Sequence, residues 1–388
     1  MLTGLSQLVS DQGDSNASLR LAERALDERK RLYGPESQKA GFGYSNLGFG
    51  LEAVGNYRAA VEAYQSATRI FALHLHPDSV ERAIGVSQLG NTEMLAGDLA
   101  SAREHLTDAD QTFARQNNIH HRHVLNAART CRVETLISPG ERAQAACEKA
   151  HSLTIKKHGA GGEDEAIASR NNGLLFLEQG RLTDARLALQ HSLDLLATKG
   201  IAAWRGMVLL ALAEIAWLEA RPAVALREVD LGLKLLGDGF PPHLRRTGLA
   251  LRALVCAEAP LSACSIDSFA QATSALDEQS YRDSIVVLPA NIFLAQTDIA
   301  LARFDAAKAR LLRALSAARD VDSRAPRVVE AQAWLAIAQL DRSSTACVRR
   351  DSQLREISTS INATGLRAHP QLQRVLAKLE ADRATCQS

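Results

Sequence analysis

The sequence predicts an all-α protein, a right-handed α-solenoid of about eight or nine helical hairpins. Three observations carry that prediction. Tyr, Trp and Phe make up 4% of the 388 residues while alanine and leucine abound, a balance that favours helix over strand. Apolar residues recur at spacings of three and four rather than two, as in Ala143, Cys147, Ala150 and Leu153. One pattern of small, bulky and turn residues also returns at a nearly fixed interval, as stacked supersecondary units require.

That interval is 41 or 42 residues. The clearest copy runs Leu47-Gly48, Gly55, Ala60, Tyr64, Ala67. An earlier copy holds Gly13, Ser18, Ala22 and Ala25. Later ones hold Leu89, Gly90, Gly97, Ala102, Leu106 and Ala109, then Ala127, Cys131, Ala143, Cys147 and Ala150, then Gly173, Gly180, Ala185, Leu189 and Ser192. In four of the five, a first helix runs to a glycine (Gly13, Gly55, Gly97, Gly180) suited to the left-handed turn that ends helices, and in each a second helix follows. Small residues (Ser18, Ala60, Ala102, Ala143, Ala185) let the two axes approach. The bulky positions (Leu47, Tyr64, Leu89, Leu106, Leu189) are expected to fill the space between successive hairpins. Residues 1–197 form the regular part, and residues 198–388 continue the same solenoid in degenerate form. There Ala213, Ala225, Val229 and Gly232 keep the scheme, with Pro222 placed for a first helical turn. Residues 242–285 read as helical but out of register. Ala295, Ala307, Leu311 and Ala314 recover it, and a hairpin over 326–361 and a helix from Pro370 close the array. Gly237–Pro242 reads as a long connection.

The pattern resembles the tetratricopeptide repeat. The small residues that family sets at three fixed points match Gly48, Ala60 and Ala67, then Gly90, Ala102 and Ala109, then Gly173, Ala185 and Ser192. The longer period, with Tyr33–Ser37 and His76-Pro77-Asp78 between repeats, resembles the kinesin-light-chain variant, as found C-terminal to bacterial serine/threonine kinase domains. By the register, the first repeat starts just before Met1, without a capping helix. An upstream domain or a shortened first helix accounts for that equally well.

Lys+Arg 45 against Asp+Glu 44 gives a net charge of +1, which argues against nucleic acid as partner. No stretch is long and apolar enough for membrane insertion. The N-terminus lacks a basic, then apolar, leader, so a cytoplasmic location is expected, or a periplasmic one behind a membrane-anchored domain. No phosphate-binding loop, zinc-protease, nucleophile-elbow or kinase motif occurs. Gly41-Phe-Gly43 imitates a dinucleotide loop without the strand that loop needs. His120-His121-Arg122-His123 reads as a solvated loop rather than a metal site. No enzyme activity, catalytic residue, metal or cofactor is therefore expected. Among six cysteines, Cys131 and Cys147 share one hairpin. Reduced buried thiols are the simpler reading, with Cys131–Cys147 and Cys256–Cys264 the candidate disulfides.

The first helices of the hairpins line the concave face. Asn46, Gln88, Arg129 and Asn171 then form a ladder, beside the inward residues Phe49, Asn91, Arg132 and Arg170. Amides offer both donor and acceptor to an extended backbone, and the arginines favour acidic side chains or a free carboxylate. The resemblance implies the same, since asparagines at the rung grip ligand main chain in similar proteins. Asn46 and Asn171 match them; Gln88 and Arg129 depart. The plainer alternative is that these side chains solvate a concave surface. The expected function is a non-enzymatic scaffold for a protein or extended peptide segment. The rival is a sensor or docking segment of a larger bacterial signalling protein whose serine/threonine kinase domain lies outside this chain.

Overall fold

The computed structural model describes residues 14–197, 202–237, 242–259, 264, 267–276, 284–340 and 347–387. Among these are eighteen α-helices, one 3-10 turn (Ile285–Val287) and no strand. After α1 (Ser15–Tyr33) come hairpins α2/α3 (Gln38–Ala53, Tyr57–His74), α4/α5 (Val80–Ala96, Leu99–Ala114), α6/α7 (His121–Ile137, Glu141–His158) and α8/α9 (Glu163–Glu178, Leu182–Leu196). The degenerate half contributes α10/α11 (Ala202–Leu218, Pro222–Leu236), α12/α13 (Pro242–Glu258, Asp267–Leu276), α14/α15 (Leu288–Ala300, Phe304–Ala317), α16/α17 (Pro326–Ala338, Cys347–Ala363) and α18 (Pro370–Gln387). The expected inner helix ahead of Gly13 and the connection 238–241 lie outside the described residues.

Caps and turns set the element boundaries. Asp14, Ser37, Asn56, Ser79 and Asp98 each accept a backbone N–H of the first turn of their helix. Gly55, Gly97 and Gly180 take positive φ of 79°, 101° and 75° at the hairpin turn. The N–H after each reaches back into the last helical turn, as in Asn56 N to Leu51 O at 2.8 Å. Ala60, Ala102, Ala143, Ala185, Ala225 and Ala307 are fully buried.

One packing expectation is corrected. Tyr64, Leu106 and Leu189 press on the glycine of their own hairpin rather than filling only the space between hairpins. A Cβ on Gly48, Gly90 or Gly173 would lie 2.7 Å from the Tyr64 ring, 2.9 Å from Leu106 Cγ and 2.6 Å from Leu189 Cγ respectively. The bulky side chain of the second helix thus needs a missing side chain on the first.

The superhelix coils back on itself. Ser284 Oγ donates to the Leu95 carbonyl, and Asp322 N donates to the Ile137 carbonyl at 3.0 Å. His369 Nε2 meets the Glu178 carbonyl at 3.1 Å, and Arg374 bonds Glu258 and the Trp217 carbonyl. The last hairpins therefore sit on the C-terminal ends of the earlier inner helices. At the centre of this seam the buried Arg327 pairs with Glu178 at 3.1 Å, with Glu214, and with Glu330 at 3.5 Å. Trp217 packs edge-on against Phe293 at 5.8 Å.

Candidate peptide-binding groove

The ladder residues come together in the order the period demands. Ser45 Oγ donates to Gln88 Oε1 at 3.1 Å, Arg129 Nη1 donates to Ser87 Oγ at 2.9 Å, and Asn171 Nδ2 donates to the Ala128 carbonyl at 3.3 Å. Each rung thus bonds the residue just before the previous rung, so the ladder ties α2, α4, α6 and α8 to one another. The tie uses only part of each side chain. The amide N–H groups of Gln88, the carbonyl of Asn171 and the whole amide of Asn46 make no hydrogen bond to a described residue. Phe49 is half-buried beside them.

A turn further along, Asn91 Nδ2 donates to Glu52 Oε1 at 3.4 Å, and the Thr92 hydroxyl donates to the same carboxylate. Burial raises the Glu52 pKa against those bonds and against the nearby Arg129 guanidinium. Burial in turn lowers the Arg129 pKa, opposed by Glu52. Sequence reasoning missed Glu52 because a carboxylate in an alanine-rich helix reads as a solvated residue.

Arg132 on α6 and Arg170 on α8 stand apart. Neither makes a hydrogen bond or ion pair with a described residue, and Arg170 Nε is enclosed. Burial, then the Arg132 charge, lower the Arg170 pKa to about 9. Burial lowers that of Arg132 too, opposed by Glu178. His243, at the start of α12, reaches across the molecule, its Nδ1 3.0 Å from the Tyr57 hydroxyl. Burial and the guanidiniums of Arg132, Arg170 and Arg246 push its pKa down to about 3. Nothing in the repeat period foretold this, since α12 is where the register is lost.

The histidine run separates into distinct roles. His120 Nδ1 accepts the Arg122 N–H at 3.1 Å as a cap, and His123 Nε2 meets Asp110 at 2.9 Å. Among the described residues, no group of three or more His, Cys, Asp or Glu has metal-holding geometry. The cysteines depart from the simpler expectation: Cys131 is bonded to Cys147, and Cys256 to Cys264. In the first pair the facing helices of α6/α7 bring the Cα atoms to 4.6 Å, inside disulfide range. No described helix is long and apolar enough to cross a membrane.

This architecture defines an α-solenoid of helical hairpins whose first helices are tied to one another by polar side chains. Residues 1–72 match the family model of the tetratricopeptide repeat. A search of curated proteins finds no match. Among solved structures, aspartyl phosphate phosphatase F from Bacillus subtilis is 12% identical, over 77% of this chain and 75% of that one, with a TM-score of 0.54. The apo quorum sensor NprR from B. thuringiensis is 12% identical, over 81% and 86%, with a TM-score of 0.51. TPR-like repeats of the kinesin-light-chain kind from Podosopora anserina are 15% identical, over 50% and 93%, with a TM-score of 0.43. At such identities the first two likenesses speak for the fold alone.

Proposed function

We propose that the protein is a non-enzymatic scaffold that holds a protein or extended peptide segment against α2, α4, α6 and α8. The observation that carries this reading is the ladder's residual hydrogen-bonding capacity. Asn46, Gln88 and Asn171 keep donors and acceptors that no neighbour uses, at the regular spacing of adjacent inner helices. An extended backbone needs alternating partners of this kind. Phe49 and Asn91 flank the rungs, and Arg129, Arg132 and Arg170 give the groove its preference for acidic segments.

A displayed peptide library panned against the protein tests this. Peptides so selected are expected to lose at least about tenfold in affinity against Asn46→Ala/Asn171→Ala, the loss of roughly one hydrogen bond to a ligand. Undiminished affinity in a variant with wild-type helix content rules the ladder out as the binding surface.

A further inference from the structure

Three carboxylates converge on one buried guanidinium where the superhelix closes. Arg327 Nε donates to both oxygens of Glu178, at 3.1 and 3.2 Å, and its Nη2 donates to Glu214. Glu330, 1% exposed, is left with the poorest share. Its Oε2 stands 3.5 Å from Arg327 Nη1 and makes no hydrogen bond, while Oε1 accepts from Gln296 Nε2 at 3.2 Å. The charged groups of the surrounding helices do not make up the difference. Arg132 of α6 lines one small cavity with Glu178 and Arg327, which brings the cations to two against three carboxylates. On α14, Asp298 is taken by Arg310 and by Arg303, each at 3.2 Å. On α17, Asp351 is taken by Arg355 and Arg383, and Glu356 lines a separate groove with Val329 and Ala333. On α18, Arg374 is taken by Glu258, and His369, its pKa lowered by burial, meets the Glu178 carbonyl through Nε2. A buried excess of one negative charge is unfavourable, and a proton on the least-bonded carboxylate removes it. Burial accordingly raises the Glu330 pKa to about 7, opposed by Arg327 and reinforced by the charges of Glu214 and Glu178.

We propose that Glu330 is a proton-operated clasp of the superhelix: protonated, it lets α16 seat on α8 and α10, and ionised, it releases them. Loss of the proton leaves three carboxylates competing for Arg327. The nearest relief is hydration, which requires α16 to part from Glu178 and Glu214. Those two residues lie near the C-terminal ends of α8 and α10, so these ends are the elements set free. The closed form belongs to mildly acidic pH, and loosening to neutral and alkaline pH. The clasp uses none of the amide rungs, so it and the proposed groove fail separately.

Hydrogen–deuterium exchange of the full chain at pH 6 and pH 8, at constant ionic strength, is the test. The carboxyl titrates near 4.5 when the seam is open and at about 7 when it is closed. Protection factors over α16 and the C-terminal ends of α8 and α10 are therefore expected to fall about tenfold between the two pH values, while those of α2 and α3 hold. Glu330→Gln, which keeps the shape and removes the charge, should abolish the fall and hold the seam closed at both. A fall of equal size in Glu330→Gln, or one spread evenly over the whole chain, overturns the clasp. Infrared spectroscopy reads the proton itself and needs no variant to fold. A carboxylic-acid carbonyl band present in the wild-type protein at pH 6 and lost by pH 8 supports the proposal. Its absence at pH 6, or its persistence in a folded Glu330→Gln protein, overturns it.

Discussion

The two halves of the solenoid reach the same architecture by different means. From α1 to α9, repeated local devices do the work: side-chain N-caps through Asp98, glycine turns, and glycines that receive a bulky neighbour. Side-chain caps are already missing from α7, α8 and α9, as they are from α11, α14, α15 and α16, and from α10 onward long-range contacts add to the local ones. Arg327 meets Glu178 across 149 positions and Glu214 across 113. Where local sequence specifies a hairpin, the hairpin is nearly self-sufficient in shape. Where it does not, the next superhelical turn must hold it in place.

The largest test of this contrast is Arg327→Met. It leaves Glu178, Glu214 and Glu330 buried around an apolar side chain, so stability should fall by about 3–5 kcal/mol. Because the ties to the earlier helices loosen first, small-angle scattering should show an expanded C-terminal half before the helices melt. A compact, two-state variant with unchanged midpoint would mean that apolar contacts alone close the superhelix.

The disulfide between α6 and α7 belongs to the regular half, at the hairpin whose turn lacks the glycine device. There Ser138 N bonds the Glu134 carbonyl instead, and no residue adopts positive φ. Replacing Cys131 and Cys147 by alanine should destabilise by about 3 kcal/mol, the scale for a loop near 15 residues. Urea titration measures it. The cross-link at Cys256–Cys264 closes a shorter loop, with a sequence separation of 8 against 16, and should matter less.

Titration separates two buried groups of the degenerate half in sign. Burial raises the Glu330 pKa to about 7, so the folded protein binds a proton there that the unfolded chain releases near 4.5. Its contribution to stability therefore falls as pH rises from 4.5 to 7. His243 does the opposite. Its folded pKa is about 3, so the unfolded chain takes up a proton below 6.5 and stability falls as pH drops from 6.5 to 3. Between pH 5 and 6.5 the two slopes oppose each other. Glu330→Gln should steepen the gain in stability with rising pH across that window, and His243→Gln should weaken or reverse it, each by about 2 kcal/mol. Parallel Tm profiles for both variants would contradict the assignment.

Much of the fold was legible because a period of 42 constrains every position at once. It located the hairpin turns, the fully buried alanines and a series of polar side chains on successive first helices, whose mutual bonds at Ser45–Gln88, Ser87–Arg129 and Ala128–Asn171 follow that same interval. The closure was illegible for the complementary reason. Glu178, Arg327 and His369 share no register, and a polar residue in a helix gives no local sign that its partner is a hundred positions away. His243 was hidden likewise. Cys131 and Cys147 were placed correctly but read first as thiols, since spacing alone does not fix oxidation state.

Two alanines hid the turns of the degenerate half, and they offer the smallest and sharpest comparison. Ala220 and Ala302 adopt φ of 55° and 58° where Gly55, Gly97 and Gly180 stand in the regular repeats. The hydrogen bonds are the same: Arg221 N reaches the Ala216 carbonyl at 2.9 Å and Arg303 N the Asp298 carbonyl at 2.7 Å. A Cβ in this region costs about 1–2 kcal/mol, while glycine loses roughly 0.4–1 kcal/mol through its freer unfolded chain. Ala220→Gly and Ala302→Gly should each stabilise the protein by about 0.5–1 kcal/mol, and Gly97→Ala should destabilise it by a similar amount. Denaturant midpoints decide the matter. Should either alanine variant prove weaker than wild type, packing around that methyl outweighs backbone strain, and the degenerate turns are then adapted to alanine rather than tolerating it.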